Sequence, residues 1–80
     1  MSASRLTLVS KPDCHLCDDA RATIAEVLAD FPAVAFDEQS ILDDAVLFDL
    51  YVEEIPVVLL DDRVHTIWRV DPARLRKALS

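Results

Sequence analysis

Residues 5–10 interleave Leu6 and Leu8 with the β-branched Thr7 and Val9, a pattern that predicts a short strand. Lys11, Pro12 and Asp13 break it. Over 16–31 the apolar residues fall at Leu16, Ala20, Ile24, Val27, Leu28 and Phe31, the spacing of one helix face. Asp13 is the expected cap of that helix, Asp18 and Asp19 suit its first turn, and Pro32 is its expected end. Val34 and Phe36 mark a second strand over 33–37. A second helix is expected from Ser40 or Asp43 to about Tyr51, with Ala45, Leu47, Phe48, Leu50 and Tyr51 as its apolar positions. The uninterrupted run Val57-Val58-Leu59-Leu60 reads as a strand covered on both faces. Asp61-Asp62 predicts a tight turn, and 63–68 alternates as a return strand. Asp71 followed by Pro72 opens a last helix, whose buried face is expected at Leu75, Ala78 and Leu79.

This order makes an α/β fold: a mixed four-stranded sheet with three helices. Its first three elements form a parallel crossover unit and its last two strands a hairpin. All 80 residues are expected in one domain. Glycine is absent, which excludes the Gly-rich phosphate loops and leaves Asp or Asn to serve turns that need positive φ. The net charge of −7 argues against nucleic acid and against anionic membrane surfaces. No apolar run is long enough to span a bilayer, and residues 1–10 hold no leader-like block, so the expected location is cytoplasmic.

The chemistry is sought at Cys14 and Cys17, which fall between the first strand and the first helix. A helix N-terminus offers unpaired N–H groups and about half a positive charge to an anion such as a thiolate. Cys14 is therefore the natural attacking group in thiol–disulfide exchange, and Cys17, one turn on, the resolving one. Lys11 and a protonated His15 favour a thiolate there, whereas Asp13, Asp18 and Asp19 oppose it. A structural disulfide closing four residues stabilises little, by about 2 kcal/mol in the chain-entropy model, and is rare in a reducing compartment. Tetrahedral zinc needs more ligands than the pair supplies, and only His15 and His65 remain, at an unsuitable spacing. A Cys-x-x-Cys in a βαβ setting reads first as a redox motif.

Lys11-Pro12-Asp13-Cys14-His15-Leu16-Cys17, the tripeptide Ile55-Pro56-Val57 and the chain length together resemble a short glutaredoxin-like protein of the thioredoxin fold. The resemblance covers nearly the whole chain. It implies a βαβαββα thioredoxin-like fold and a thiol–disulfide oxidoreductase acting on protein disulfides or low-molecular-weight thiols. It also implies a reductase or thiol as electron donor, no bound organic cofactor, and a monomer. Cys14 and Cys17 are then the catalytic pair, and Lys11 approaches a substrate carboxylate. His15 completes the motif beside the substrate. Pro56 is expected in the cis form facing the site, leaving the Ile55 backbone to pair with an extended substrate. Asp71 can touch a ligand amine. Lys-Pro ahead of the motif is also similar to the glutaredoxin-like electron donors of ribonucleotide reductase. The chain departs from glutaredoxins where their Gly-Gly pair meets glutathione, since Trp68-Arg69-Val70-Asp71-Pro72 stands there, and in having His-Leu between the cysteines.

Two other readings stay open: a non-catalytic module that holds a peptide near Pro56, and carriage of zinc or an iron–sulfur cluster through the cysteine pair. Trp68 is expected to pack in the sheet, with a platform beside the motif as the alternative. Phe31, Phe36 and Phe48 are core candidates, and His65 is placed on a solvent face.

Overall fold

Leu6, Leu8, Val9, Val57 and Val58 expose none of their surface, and the two strands that carry them form the centre of the sheet. The computed structural model describes residues 5–80; the first four, part of the stretch read for a leader, lie outside the described residues. Strand β1 (Arg5–Ser10) is followed by helix α1 (His15–Leu28) and strand β2 (Ala35–Ser40). Helix α2 (Ala45–Tyr51), strands β3 (Val57–Leu60) and β4 (Arg63–Ile67), and helix α3 (Pro72–Leu79) complete the chain. The sheet order is β2-β1-β3-β4, with β1 parallel to β2 and antiparallel to β3, and β3 antiparallel to β4. This is the expected α/β class with a mixed four-stranded sheet and three helices.

The pleat sends alternate side chains to opposite faces, one covered by α1 and α3 and the other by α2 with the first turn of α1. Leu6, Leu8 and Val58 pack with Ala20, Ile24 and Val27 of α1 and Leu75 and Leu79 of α3. Val9, Val57 and Leu59 pack with Ile41, Ile55 and Cys17, joined by Leu47 and Tyr51 of α2. Each fully buried aliphatic side chain contributes roughly 1.5–3 kcal/mol relative to exposure. Asp61 and Asp62 link β3 to β4 at φ 49° and 68°, so aspartates hold the left-handed turn conformation in a chain without glycine. Asp71 caps α3 by accepting from the amides of Ala73 and Arg74, with Pro72 opening the helix, as expected.

Several boundaries differ from the sequence pattern. Helix α1 ends at Leu28, and four-residue turns from Val27 to Asp30 and from Leu28 to Phe31 lead the chain out of it before Pro32. A proline disfavours the helical region for the residue before it, so Phe31 turns back onto the core instead of extending the helix. Strand β2 lies over Ala35–Ser40, later than 33–37, because all six residues of β1 pair with it in register from Arg5↔Ala35 to Ser10↔Ser40. Ser40 thus ends a strand, and the cap of α2 is Asp44, not Ser40 or Asp43. As the sheet's edge, β2 leaves Phe36 43% exposed, and on α2 Phe48 is 42% exposed; neither is a core residue. Leu16 is exposed as well, so the buried face of α1 starts at Cys17. His65 is half-buried, not on an open face, and burial first, then the Arg74 charge, holds its pKa below the usual histidine value. Among the described residues no helix is long and apolar enough to cross a membrane.

Candidate functional site

Asp13 does not cap α1. It takes φ 55° and turns the chain so that Cys14, in extended conformation, becomes the cap. The Cys14 carbonyl accepts the first helical hydrogen bond, from Asp18 N–H at 3.0 Å, and its Sγ accepts from Cys17 N–H at 3.2 Å. A thiol therefore occupies the place where serine or aspartate usually caps a helix. Cys14 is half-buried and Cys17 buried, and both are free thiols. The turn of helix between them sets one sulfur at the surface and the other directly behind it.

Burial, together with a side-chain hydrogen bond to Cys14, pushes the Cys17 thiol from its ordinary value of 9.0 up to about 11. A backbone hydrogen bond from Lys11 and the charge of Arg21 pull the other way without reversing the shift. Because the folded state holds this proton more tightly than the unfolded chain, the resulting stability is fully present below about pH 9. It is lost as pH climbs through about 11. The reduced protein should therefore lose roughly 2 kcal/mol across that window through this group alone. Urea unfolding of the reduced protein and of Cys17→Ala at a series of pH values measures it. Equal pH slopes in the two proteins would remove the burial argument.

The Ile55–Pro56 peptide is cis, as expected, and both residues are buried at the start of β3. Ile55 belongs to the same apolar cluster as Cys17, against which Cys14 also packs. The Pro56 carbonyl accepts from Trp68 N–H at 2.8 Å, whereas no described residue hydrogen-bonds the Ile55 backbone. The structure thus brings Cys14, Cys17 and Ile55 into one apolar cluster, with the Lys11 backbone on Cys17 and Pro56 next in the chain after Ile55. His15 opens α1 and is exposed, and the Lys11 residue is exposed. Asp71 is exposed, and its Oδ1 is engaged at the start of α3.

Arg21 belongs to no motif of the sequence. Its guanidinium forks onto Glu38 of β2, with Nε to Oε1 at 2.7 Å and Nη2 to Oε2 at 2.6 Å, and reaches Asp18 at 2.9 Å. Ser10, the last residue of β1, donates to the same Glu38 Oε2 at 2.8 Å. Arg21 holds the Glu38 carboxyl below the usual carboxylate range, with the Ser10 hydroxyl adding to this against a burial penalty. The network ties the strand end before the motif to the helix after it. Arg21 stands four residues after Cys17 and three after Asp18, a spacing that places all three on neighbouring turns.

Trp68 leaves the sheet rather than packing in it. It is 54% exposed at φ 67°, the left-handed region that favours glycine, where glutaredoxins carry their Gly-Gly pair. Its indole N–H donates to the Glu53 carbonyl at 3.2 Å, which fixes the ring. With Arg69 and Val70 it borders a cleft of about 130 Å³ against Leu16, Asp19, Ala20 and Thr23 of α1. The platform alternative therefore fits its position. Among the described residues no three His, Cys, Asp or Glu side chains stand together as a metal site would require.

A mixed sheet with a Cys-x-x-Cys opening the first helix and a cis-proline opening the third strand is the arrangement of the thioredoxin fold. Fasciola hepatica thioredoxin superposes with a TM-score of 0.65 over 94% of this chain and 76% of its own, at 15% identity, which speaks to fold alone. The chain belongs to the glutaredoxin-like domain family (DUF836), whose model matches residues 5–80. The structural-genomics target protein XcR50 from X. campestris is 39% identical in its X-ray structure, with a TM-score of 0.67 over 90% of this chain and 91% of that one. Uncharacterized proteins of Mycobacterium tuberculosis and Mycobacterium bovis are 33% identical over 84 residues, covering 95% of this chain and 82% of theirs.

Proposed function

We propose that the protein is a cytoplasmic thiol–disulfide oxidoreductase that reduces or exchanges disulfides of proteins or low-molecular-weight thiols. The observation that carries this reading is the placement of Cys14: half-exposed, capping α1 with its sulfur, and backed by the buried Cys17, which shares an apolar cluster with Ile55. The Cys14 thiolate attacks one sulfur of the substrate disulfide, a new S–S bond forms, and the other substrate sulfur leaves as a thiolate that takes up a proton. Cys17 then gives up its proton and attacks the Cys14 sulfur, releasing the second substrate thiol. Two electrons have passed to the substrate, and the pair is left as an intramolecular disulfide. An external dithiol or thiol, or a reductase, returns the two electrons.

The high pKa of Cys17 suits the resolving role, since the group stays a protonated thiol until the mixed disulfide has formed. Lys11 and His15 flank the attacking sulfur and are available to a substrate carboxylate. The open Ile55 backbone pairs with an extended substrate segment, with Pro56 as the floor of that contact. Asp71 keeps a second carboxylate oxygen for a ligand amine. One chain supplies both cysteines, so a monomer completes the cycle without a bound cofactor.

Equilibration in thiol/disulfide buffers, with free thiols alkylated and counted by mass spectrometry, tests the reading. A reversible two-electron transition between about −300 and −120 mV is expected, the span of exchange proteins. A pair that never closes, or closes irreversibly, overturns it.

A further inference from the structure

Helix α2 buries no residue. Only Leu47 and Tyr51 lean onto the core, against the cluster that holds Cys17 and Ile55 and touches Cys14. Around them Leu42 (67% exposed), Val46 (64%), Leu50 (57%), Phe48 and Val52 lie open to solvent. Val46 and Leu50 are one turn apart and share a flank of the helix. Asp43, Asp44, Glu53 and Glu54 stand at the two ends of the helix and Asp49 on its outward side, between Phe48 and the Val46–Leu50 flank; none of them is in an ion pair among the described residues. Residues 22–62 contain no Lys, Arg or His. The face thus interleaves exposed apolar side chains with charged groups of one sign, all negative. Exposed apolar side chains gathered on and beside one short helix mark an interaction surface.

We propose that this face is the docking surface for a protein partner presenting a cationic segment in which apolar residues are interspersed with Lys or Arg. The charge decides among the possible occupants. A second copy of the same face would set acid against acid, and an anionic lipid surface would be repelled in the same way. A basic segment with apolar side chains gains on both counts. Because the inner side of α2 packs beside the cysteine pair, a disulfide carried next to such a segment is delivered to Cys14. This inference rests on the exchange reading and names the partner class of the same site.

The test uses two helical peptides, one of Leu and Lys and one of Leu and Glu. Each carries a single cysteine as its mixed disulfide with thionitrobenzoate, and bis(2-hydroxyethyl) disulfide serves as a small neutral substrate. At low salt the reduced protein should exchange with the Leu/Lys peptide at least about tenfold faster than with its Leu/Glu twin, and salt should narrow the gap. Val46→Ser with Leu50→Ser and Asp49→Lys should close the gap to within about twofold and leave the small disulfide unaffected. Glu26→Lys reverses the same charge on α1, across the sheet, and should leave the gap in place. The inference is overturned by equal peptide rates, by an equal loss in Glu26→Lys, or by sedimentation showing that the face closes on a second copy. If the small disulfide is not reduced, the exchange reading has failed instead. NMR shifts induced by the Leu/Lys peptide then decide the docking face, being centred on residues 42–52 or not.

Discussion

Cys14→Ser should reduce disulfide exchange to the uncatalysed background, a loss of at least about a thousandfold, because the variant has no sulfur at the mouth of the site. Cys17→Ser should differ in kind. Its Cys14 still caps α1 and still attacks, but nothing behind it releases the product, so a covalent adduct with the substrate should accumulate and register by mass. The assignment follows from burial: Cys14 is the half-exposed sulfur and Cys17 the buried one. An adduct on the Cys14→Ser protein, with rapid turnover by Cys17→Ser, would reverse the two roles. Full function in Cys14→Ser would favour a peptide-holding module over an enzyme.

The largest loss of stability is expected from Leu75→Ala. Leu75 is fully buried between α3 and the sheet face that also receives Ile24 and Val27 of α1. Removing it should cost about 2–5 kcal/mol through lost transfer energy and a residual cavity. A chain of 80 residues has only ~4–12 kcal/mol to lose. The melting temperature should therefore fall on the order of 10–30 °C. Phe48→Ala removes a larger side chain, yet one that is 42% exposed, and should cost roughly 1 kcal/mol or less. Thermal or urea unfolding of the two variants side by side measures the contrast. A Phe48→Ala loss equal to that of Leu75→Ala would show that α2 is packed more tightly than its exposure implies.

These two side chains illustrate how far local pattern reaches. Leu75 sits in a short helix whose start is written in Asp71-Pro72, and periodicity alone places Leu75 and Leu79 inward. The hairpin at Asp61-Asp62, the buried run of β3 and the redox pair at the head of α1 are equally local, set by turn chemistry, apolar continuity and spacing. Phe48 is different. Its apolar character is visible in the sequence, but whether it is covered depends on how many elements lie over that face of the sheet. Here α2 shares its side only with the first turn of α1, through Cys17, and is seven residues long, so its outer side chains have nothing to pack against.

The same division holds at the site. Cys14, Cys17 and the Ile55-Pro56 pair are legible as residues, forty positions apart. That Cys14 rather than Asp13 caps the helix follows from Asp13 taking a left-handed backbone, a consequence of how β1 must hand over to α1. Arg21 acquires its role only through Glu38, seventeen residues away, once β2 is aligned with β1. Trp68 stands where glutaredoxins carry glycine, and its sequence position suits a strand; its N–H still bonds the Pro56 carbonyl beside the last β3–β4 pair, while its left-handed backbone and the indole bond to the Glu53 carbonyl leave the ring outside the core. Element type, turn chemistry and the nucleophile are short-range properties of the chain, because neighbouring residues supply their energies. Strand register, exposure of the apolar face on α2 and the surroundings of the two sulfurs are long-range, since they arise from contacts that form when distant segments share one sheet.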